Sequence, residues 1–316
     1  MENTHTGGSS GGHSGHMPSS GKALLVSGWL TGIYFFIEMA VGLWTGSVAV
    51  ISDAFHTFSA VGGVLVAIIA QKIAARAADG RKTFGYHRAE LIGALTNGAF
   101  LLIMALIVIV MGVMRLGKPI DIPSTPMFLV AAGGLFTEVV SLYMMSREKG
   151  DDLNMKGAFW HIIQTFVGSI IIIVAALVIK FTGFMAIDPI LGMAFGFVLL
   201  WVSVGILKES AHLLMDGTPP DIDLDAAISA LATIKGVKNV HHVHSWALTS
   251  GRYVFSGHIK LDDGADNRAV LEIGQSMLDN EFGFYFSTLQ LEEVDLDETG
   301  AAAINVVRSD KPNPTP

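Results

Sequence analysis

"VAVISDAFHTFSAVGGVLVAIIAQK", residues 48–72, decides the fold class. It is apolar over a length sufficient to cross a bilayer as a helix, which takes about 20 residues. Asp53 and His56 interrupt it three positions apart, a spacing that places both on one helix face. An ionisable group in a spanning helix costs roughly 2.5–3.5 kcal/mol on insertion scales and usually faces a protein interior or a water-filled cavity. The segment reads as a membrane helix with one chemically active face.

Five further apolar segments lie outward from it, at 23–44, 89–114, 126–146, 157–180 and 187–207. The whole chain of 316 residues is 51% hydrophobic and 15% charged, with a mean hydropathy of +0.52. Soluble domains carry about 25% charged residues, so lipid is the solvent for much of this chain. The expected fold is an α-helical membrane protein with six transmembrane helices over residues 22–208. Arg76, Arg81, Lys82 and Arg88 follow the second span, Arg147, Lys149 and Lys156 follow the fourth, and Lys22 and Lys208 flank the set. The opposite loops carry Arg115, Lys118 and Lys180. The positive-inside rule then puts both termini in the cytoplasm.

A net charge of −8 argues against a nucleic-acid partner. With no cysteine, disulfides and thiolate metal sites are excluded, and any metal must be held by histidine, carboxylate, water or amide oxygen. Residues 1–21 are rich in glycine and serine, with His5, His13 and His16, and are expected to be disordered. They lack the basic start and apolar centre of a signal peptide. Those histidines are either a loose metal trap or incidental.

From 209 to 299 the pattern changes to a small cytoplasmic α+β domain. "DIDLDAAISALATIKGV" reads as a helix ending at glycine, and "NVHHVHSWALTS" and "RYVFSGHIKLDD" read as strands joined by a turn at Ser250–Gly251. "NRAVLEIGQSMLDNEFG" is a second helix and "FSTLQLEEV" a third strand, giving two helices on one sheet face. Residues 300–316 are expected to be a second disordered tail.

Five ionisable residues fall within the spans: Glu38, Asp53, His56, Glu138 and His161. Two imidazoles plus carboxylates on different helices suit a borderline-soft divalent ion such as Zn²⁺. Packing is the alternative for each histidine, as neutral hydrogen-bonded groups. Glu38, near the end of its segment, reads as water-exposed or hydrogen-bonded between helices. Asp53 either ligates or orients His56. Glu138, deep in its span, needs a partner or a proton. In the cytoplasmic domain strict strand alternation puts His242 and His244 on one face, with His258 arriving from the next strand. Solvent-facing sheet histidines are the alternative there.

"TGSVAVISDAFHTFS", "RKTFGYHRAELIGALTNGAFLL", "NMKGAFWHIIQTFVGSIIIIVAA" and "KGVKNVHHVHSWALTSGRYVFSGHI" follow one another in an order that resembles the cation diffusion facilitator family, from about residue 23 to 293. The resemblance implies a homodimer in the lipid bilayer, six spans per subunit and a ferredoxin-like cytoplasmic domain. It also implies export of a divalent metal, most often Zn²⁺, in exchange for protons: a secondary active transporter rather than an enzyme, with no organic cofactor. A bacterial inner membrane is the expected location.

The family's transport site pairs His/Asp-x-x-x-Asp on the second helix with His-x-x-x-Asp on the fifth. Here those pairs are His56 with Ala60 and His161 with Thr165, so both aspartates are replaced. Two neutral imidazoles leave the full charge of a dication in a low-dielectric setting, which is expensive without anions. The expected site is therefore rebuilt, with His56, His161 and Glu138 as ligands and Asp53 ligating or orienting. Loading such a site releases protons, because the ligands must be deprotonated. The rival reading is a transport-impaired member acting as a metal-sensing or assembly subunit. A third is a non-metal substrate on a reused scaffold.

In the cytoplasmic domain the resemblance favours His241, His244 and His258 over the alternation set. Glu292, Glu293 or Asp295 would complete the site, across the dimer, around a zinc ion that tightens it. Asp79 and His87 make a further candidate pair, but Lys82 stands where some relatives have a ligand. "GYHRAE" is expected to serve helix packing and ion pairing instead.

Overall fold

The apolar runs fold into six long helices: α1 (Ser19–Thr45), α2 (Val48–Ala74), α3 (Ala89–Gly117), α4 (Ser124–Ser146), α5 (Leu153–Thr182) and α6 (Ile187–Leu214). The computed structural model describes residues 19–118, 120–146 and 153–294. The expected tails fall outside the described residues, apart from 19–21, which open α1, and so does Asp295. The side chains of Ala60 and His161 also lie outside them. Among the described residues, Ala89–Gly117, Ser124–Tyr143, Thr165–Thr182 and Ile187–Leu214 are each long and apolar enough to cross a membrane. Trp29 and Phe36 of α1, Ile103 of α3, Phe136 of α4, Phe181 of α5 and Trp201 of α6 are exposed, as a lipid-facing surface requires.

The chain divides into two compact units, Met1–Val61 with Ile103–Leu200, and Gly62–Leu102 with Trp201–Pro316. In the first, small residues allow close helix contact. Ala131 of α4 and Ala175 and Ala176 of α5 are buried with Met127, Val130, Ile172 and Ile179, and Ala49 and Val50 of α2 join the same core. Gly42 of α1 lies against Val50 and Ile51, leaving no room there for a side chain. The start of α2 is capped from another helix. Asp188, in the first turn of α6, accepts hydrogen bonds from Ser47 Oγ, from Val48 N at 2.7 Å and from Ala49 N at 3.3 Å. Free N–H groups at a helix start attract an anion, so the buried carboxylate has its donors supplied.

The second unit contains the cytoplasmic domain: α7 (Leu224–Leu231), β1 (Val237–Thr249), β2 (Arg252–Leu261), α8 (Asn267–Asn280) and β3 (Phe284–Glu292). Asp223 caps α7 by accepting from Ala226 N at 2.9 Å, and Asp266 caps α8 by accepting from Arg268 N and Ala269 N at 3.1 Å. The sheet order is β1-β2-β3, antiparallel between β1 and β2 and parallel between β2 and β3. The hairpin turns at Ser250–Gly251, where Gly251 has φ +74, a conformation glycine adopts without strain. The parallel step needs a crossover, and α8 supplies it. Ala227, Ile228 and Leu231 of α7 and Val270 and Leu278 of α8 share one core with Val243, Phe255, Ile259 and Phe284 of the sheet. Both helices therefore cover the same face, in the αββαβ order expected. The first helix is shorter than the sequence pattern suggests.

Candidate metal centre

Three carboxylates from three helices meet inside the first unit. Glu38 of α1 is 1% exposed, Asp53 of α2 is 2% exposed and Glu138 of α4 is 9% exposed. Thr57 Oγ1 donates to Glu38 Oε2 at 3.4 Å, and Ser169 Oγ of α5 donates to Glu138 Oε1 at 3.1 Å. The Glu38 and Asp53 carboxylates are neighbours. Asp53 is seated against Gly168 of α5, where an added Cβ would overlap its carboxylate. Tyr34 of α1 donates to the carbonyl of Val130, which ties α1 to α4 beside the cluster.

One oxygen on each carboxylate lacks a donor: Glu38 Oε1, Asp53 Oδ1 and Glu138 Oε2 are buried with no hydrogen-bond partner among the described residues. A buried carboxylate oxygen without a donor is costly, and a cation or a proton relieves it. The arrangement is suited to receive positive charge.

Thr165 is buried and its hydroxyl hydrogen-bonds Glu138. His56 is half-buried, one turn after Asp53, with its ring edge-on to Phe195 at a centroid distance of 5.6 Å. His161 belongs to α5, one turn before Thr165. The ligand atoms of Glu38, Asp53, His56 and Glu138 do not close on one point. Among the described residues, the single trio of histidine and acid groups with ligand atoms all within 4.8 Å of one another is cytoplasmic.

Glu38 carries more weight than its place in the sequence indicated. Of the two readings offered for it, burial with an interhelical hydrogen bond is the one observed, and water exposure is not. Its usable signal was the pattern Glu38, Asp53, Glu138: one acid on each of three spans.

The cytoplasmic trio is His241, His258 and Glu292. His241 of β1 stands opposite His258 of β2. Glu292 at the end of β3 is 3% exposed and reaches both, with Oε1 at 2.9 Å from His258 Nδ1 and Oε2 at 3.3 Å from His241 Nε2. Gln290 Nε2 donates to the same carboxylate at 2.8 Å. A bulge lies between His241 and His244, and His242 adopts φ +50 within it. That extra residue breaks strict alternation; the His242 ring still stacks on His258 and lies beside His244, each at a centroid distance of 5.0 Å, but these three are not the trio whose ligand atoms converge. His244 is also outside the trio. It packs against His242 at 5.0 Å, and burial, then the charges of His242 and His258, hold its pKa below the ordinary histidine value. Glu293 bonds Asn267 instead, at 3.2 Å.

The loop after α2 uses its polar groups on itself. Asp79 accepts from Tyr86 Oη, Arg81 N and Lys82 N, each at 2.8 Å. The Tyr86 hydroxyl, followed by those two amides, lowers the Asp79 pKa. His87 faces Arg252 Nη1 at 3.1 Å. In "GYHRAE", Arg88 pairs with Asp216 and Glu90 accepts from Thr249.

Comparison with known proteins gives two family matches. Residues 24–215 match the cation efflux transmembrane domain, and residues 219–294 match the cation efflux protein cytoplasmic domain. The metal cation efflux system protein CzcD of Cupriavidus metallidurans is 33% identical over 293 residues, covering 92% of this chain and 93% of that one. The cadmium, cobalt and zinc/H(+)-K(+) antiporter of Bacillus subtilis is 32% identical over 286 residues, covering 89% and 92%. Zinc transporter ZitB of Yersinia pestis is 31% identical over 276 residues, covering 87% and 88%.

Proposed function

Because this chain belongs to the cation diffusion facilitator family of cation efflux proteins, we propose that it exports a divalent metal cation, zinc foremost, in exchange for protons. His56, His161 and Glu138 ligate the ion, Asp53 ligates or orients, and water completes the shell. The observation that carries this reading is the set of buried carboxylate oxygens on α2 and α4 that no donor among the described residues satisfies. The contact between Thr165 and Glu138 adds to it, since it puts an acid beside a position that has lost one. The relatives' names point the same way, to zinc, cadmium and cobalt, and one is named an antiporter with H⁺.

Proton exchange follows from the ligand chemistry. Carboxylates and imidazoles must shed protons to bind metal, and they regain them when it leaves. The protein acts as a homodimer in a bacterial inner membrane, with both termini on the cytoplasmic side. The membrane domain spans 22–208 and the cytoplasmic domain 209–299. In the latter His241, His258 and Glu292 fit a structural zinc ion, because three ligand atoms of suitable type already lie together around a buried acid.

Glu138→Gln tests the transport site. Zinc uptake by proteoliposomes should be abolished while the purified dimer stays intact, and uptake at the wild-type rate would remove Glu138 from the site. A second reading has its own support. Residues 60 and 165 carry no acid, and the ligand set that closes is the cytoplasmic one. On that reading the chain is a metal-sensing or assembly subunit, and the wild-type protein moves no zinc in the same assay.

A further inference from the structure

One large cavity takes no part in the metal chemistry above. Its volume is about 1340 Å³, larger than the roughly 300–1,000 Å³ of ordinary small-molecule sites. It lies wholly within the second unit, among the last turns of α2, the first turns of α3, the loop that joins them and strand β1. The apolar run of α2 ends at Ala74 and that of α3 begins at Ala89. The cavity therefore sits where the hydrocarbon of the bilayer gives way to its headgroups.

Its lining combines two chemistries. Ile69 and Ile73 of α2 and Ile92 of α3 are apolar, and Ile69 and Ile92 are exposed. Phe84 of the loop and Trp246 of β1 extend that lining, with ring centroids 6.3 Å apart. The polar part is basic and incompletely bonded. Lys82 and Arg88 stand in the wall; Arg88 pairs with Asp216, and Lys82 has no ion-pair partner among the described residues. Ser245 is 4% exposed, and its Oγ has no hydrogen-bond partner among the described residues. A buried hydroxyl without a partner costs stability unless something bound there supplies one.

The lining selects its occupant. A free anion would leave the isoleucines and Trp246 against water, and an apolar solute would leave Lys82 and Ser245 unserved. An anionic phospholipid answers both, because its chains are apolar and its phosphate accepts hydrogen bonds. Basic pockets beside the ends of membrane helices are a general setting for such headgroups. Arg76 and Arg81 of the same loop add to the local positive charge. We propose that this cavity binds an anionic phospholipid, its phosphate on Lys82 and Ser245 and its chains along α2, α3 and Trp246. The lipid fastens the ends of both helices and their loop to β1. This inference is independent of the transport reading and needs no metal.

The test reads Trp246 in the full-length protein, reconstituted in phosphatidylcholine vesicles. A small fraction of the lipid is either phosphatidylglycerol or phosphatidylcholine with brominated chains, which quench tryptophan on contact. Subtracting the emission of Trp246→Phe isolates the Trp246 signal from the other tryptophans. Brominated phosphatidylglycerol should quench it at a mole fraction about fivefold lower than brominated phosphatidylcholine, the preference that one lysine near a membrane surface supplies. Lys82 is exposed, so Lys82→Glu leaves the packing intact and should abolish the preference. Equal quenching by the two lipids would overturn the proposal. So would quenching by neither, since protein from the partner subunit would then cover the cavity. A preference retained in Lys82→Glu would overturn it too, by assigning the effect to the loop's general charge. A second measurement needs no Trp246 variant: lipid extracted from protein purified out of mixed vesicles should be enriched in phosphatidylglycerol, and Lys82→Glu should lose the enrichment. Absence of enrichment in the wild type would overturn the proposal.

Discussion

The intramembrane and cytoplasmic clusters draw on the same two side-chain types and treat them oppositely. In the cytoplasmic domain Glu292 is shared by His241 and His258, and three ligand atoms lie within 4.8 Å of one another. In the membrane domain Glu38, Asp53 and Glu138 each keep an oxygen without a donor among the described residues, and their ligand atoms do not close on one point. A site that is closed before metal arrives suits an ion that stays. A site whose anions come from separate helices and do not close on one point suits an ion that must enter and leave, since over-tight binding would stop release. Helices supply the separation in one case and neighbouring strands the convergence in the other.

The sharpest way to break that contrast is Gly168→Ala. The new Cβ would overlap the Asp53 carboxylate, so Asp53 must swing away from the cluster. Zinc flux in proteoliposomes should fall by about tenfold or more, as expected for a displaced metal-site group. Flux at the wild-type level would mean that the placement of Asp53 is immaterial. Glu292→Gln should act in the other region alone. Zinc should raise the melting temperature of the purified full-length protein, and the variant should lose most of that rise while transporting normally. A variant that keeps the full zinc-dependent rise would deny the trio its ion.

The smallest effect is that of acid on the metal-free cytoplasmic domain. His244 has a folded pKa below its unfolded value. The unfolded chain therefore binds protons first as the pH falls, and stability declines from about pH 6.5 down to the folded pKa. Above that window the contribution is fully present. Thermal melts in chelator across this range should show the decline, and His244→Gln should flatten it. An unchanged slope in the variant would assign the decline to other groups.

The six long helices were legible because an apolar run near the length of a bilayer has few other ways to exist in a protein. The order of the cytoplasmic elements was legible from alternation and capping residues such as Asp266. Glu38 was not. Six positions before the expected end of its span, it read as either near water or bonded between helices, and what decides between these is that α1 continues to Thr45 and Gly42 lets it press against α2. That close approach accompanies a buried Glu38, and no local pattern announces it. His242 escaped for a related reason: a bulge is a pairing feature between two strands, and one strand's alternation says nothing about it.

The parallel step between β2 and β3 carries a consequence for how the domain is assembled. The β1–β2 hairpin brings His241 and His258 opposite each other through a tight turn, which is a local and rapid event. Glu292 arrives only when α8 has crossed over and β3 has docked, a contact between distant parts of the chain. The trio therefore straddles the first and last pairings of the sheet. A metal ion bound at the proposed site would favour the chain that has finished folding, and so would act as a checkpoint on nascent protein as well as a fastener of the mature one.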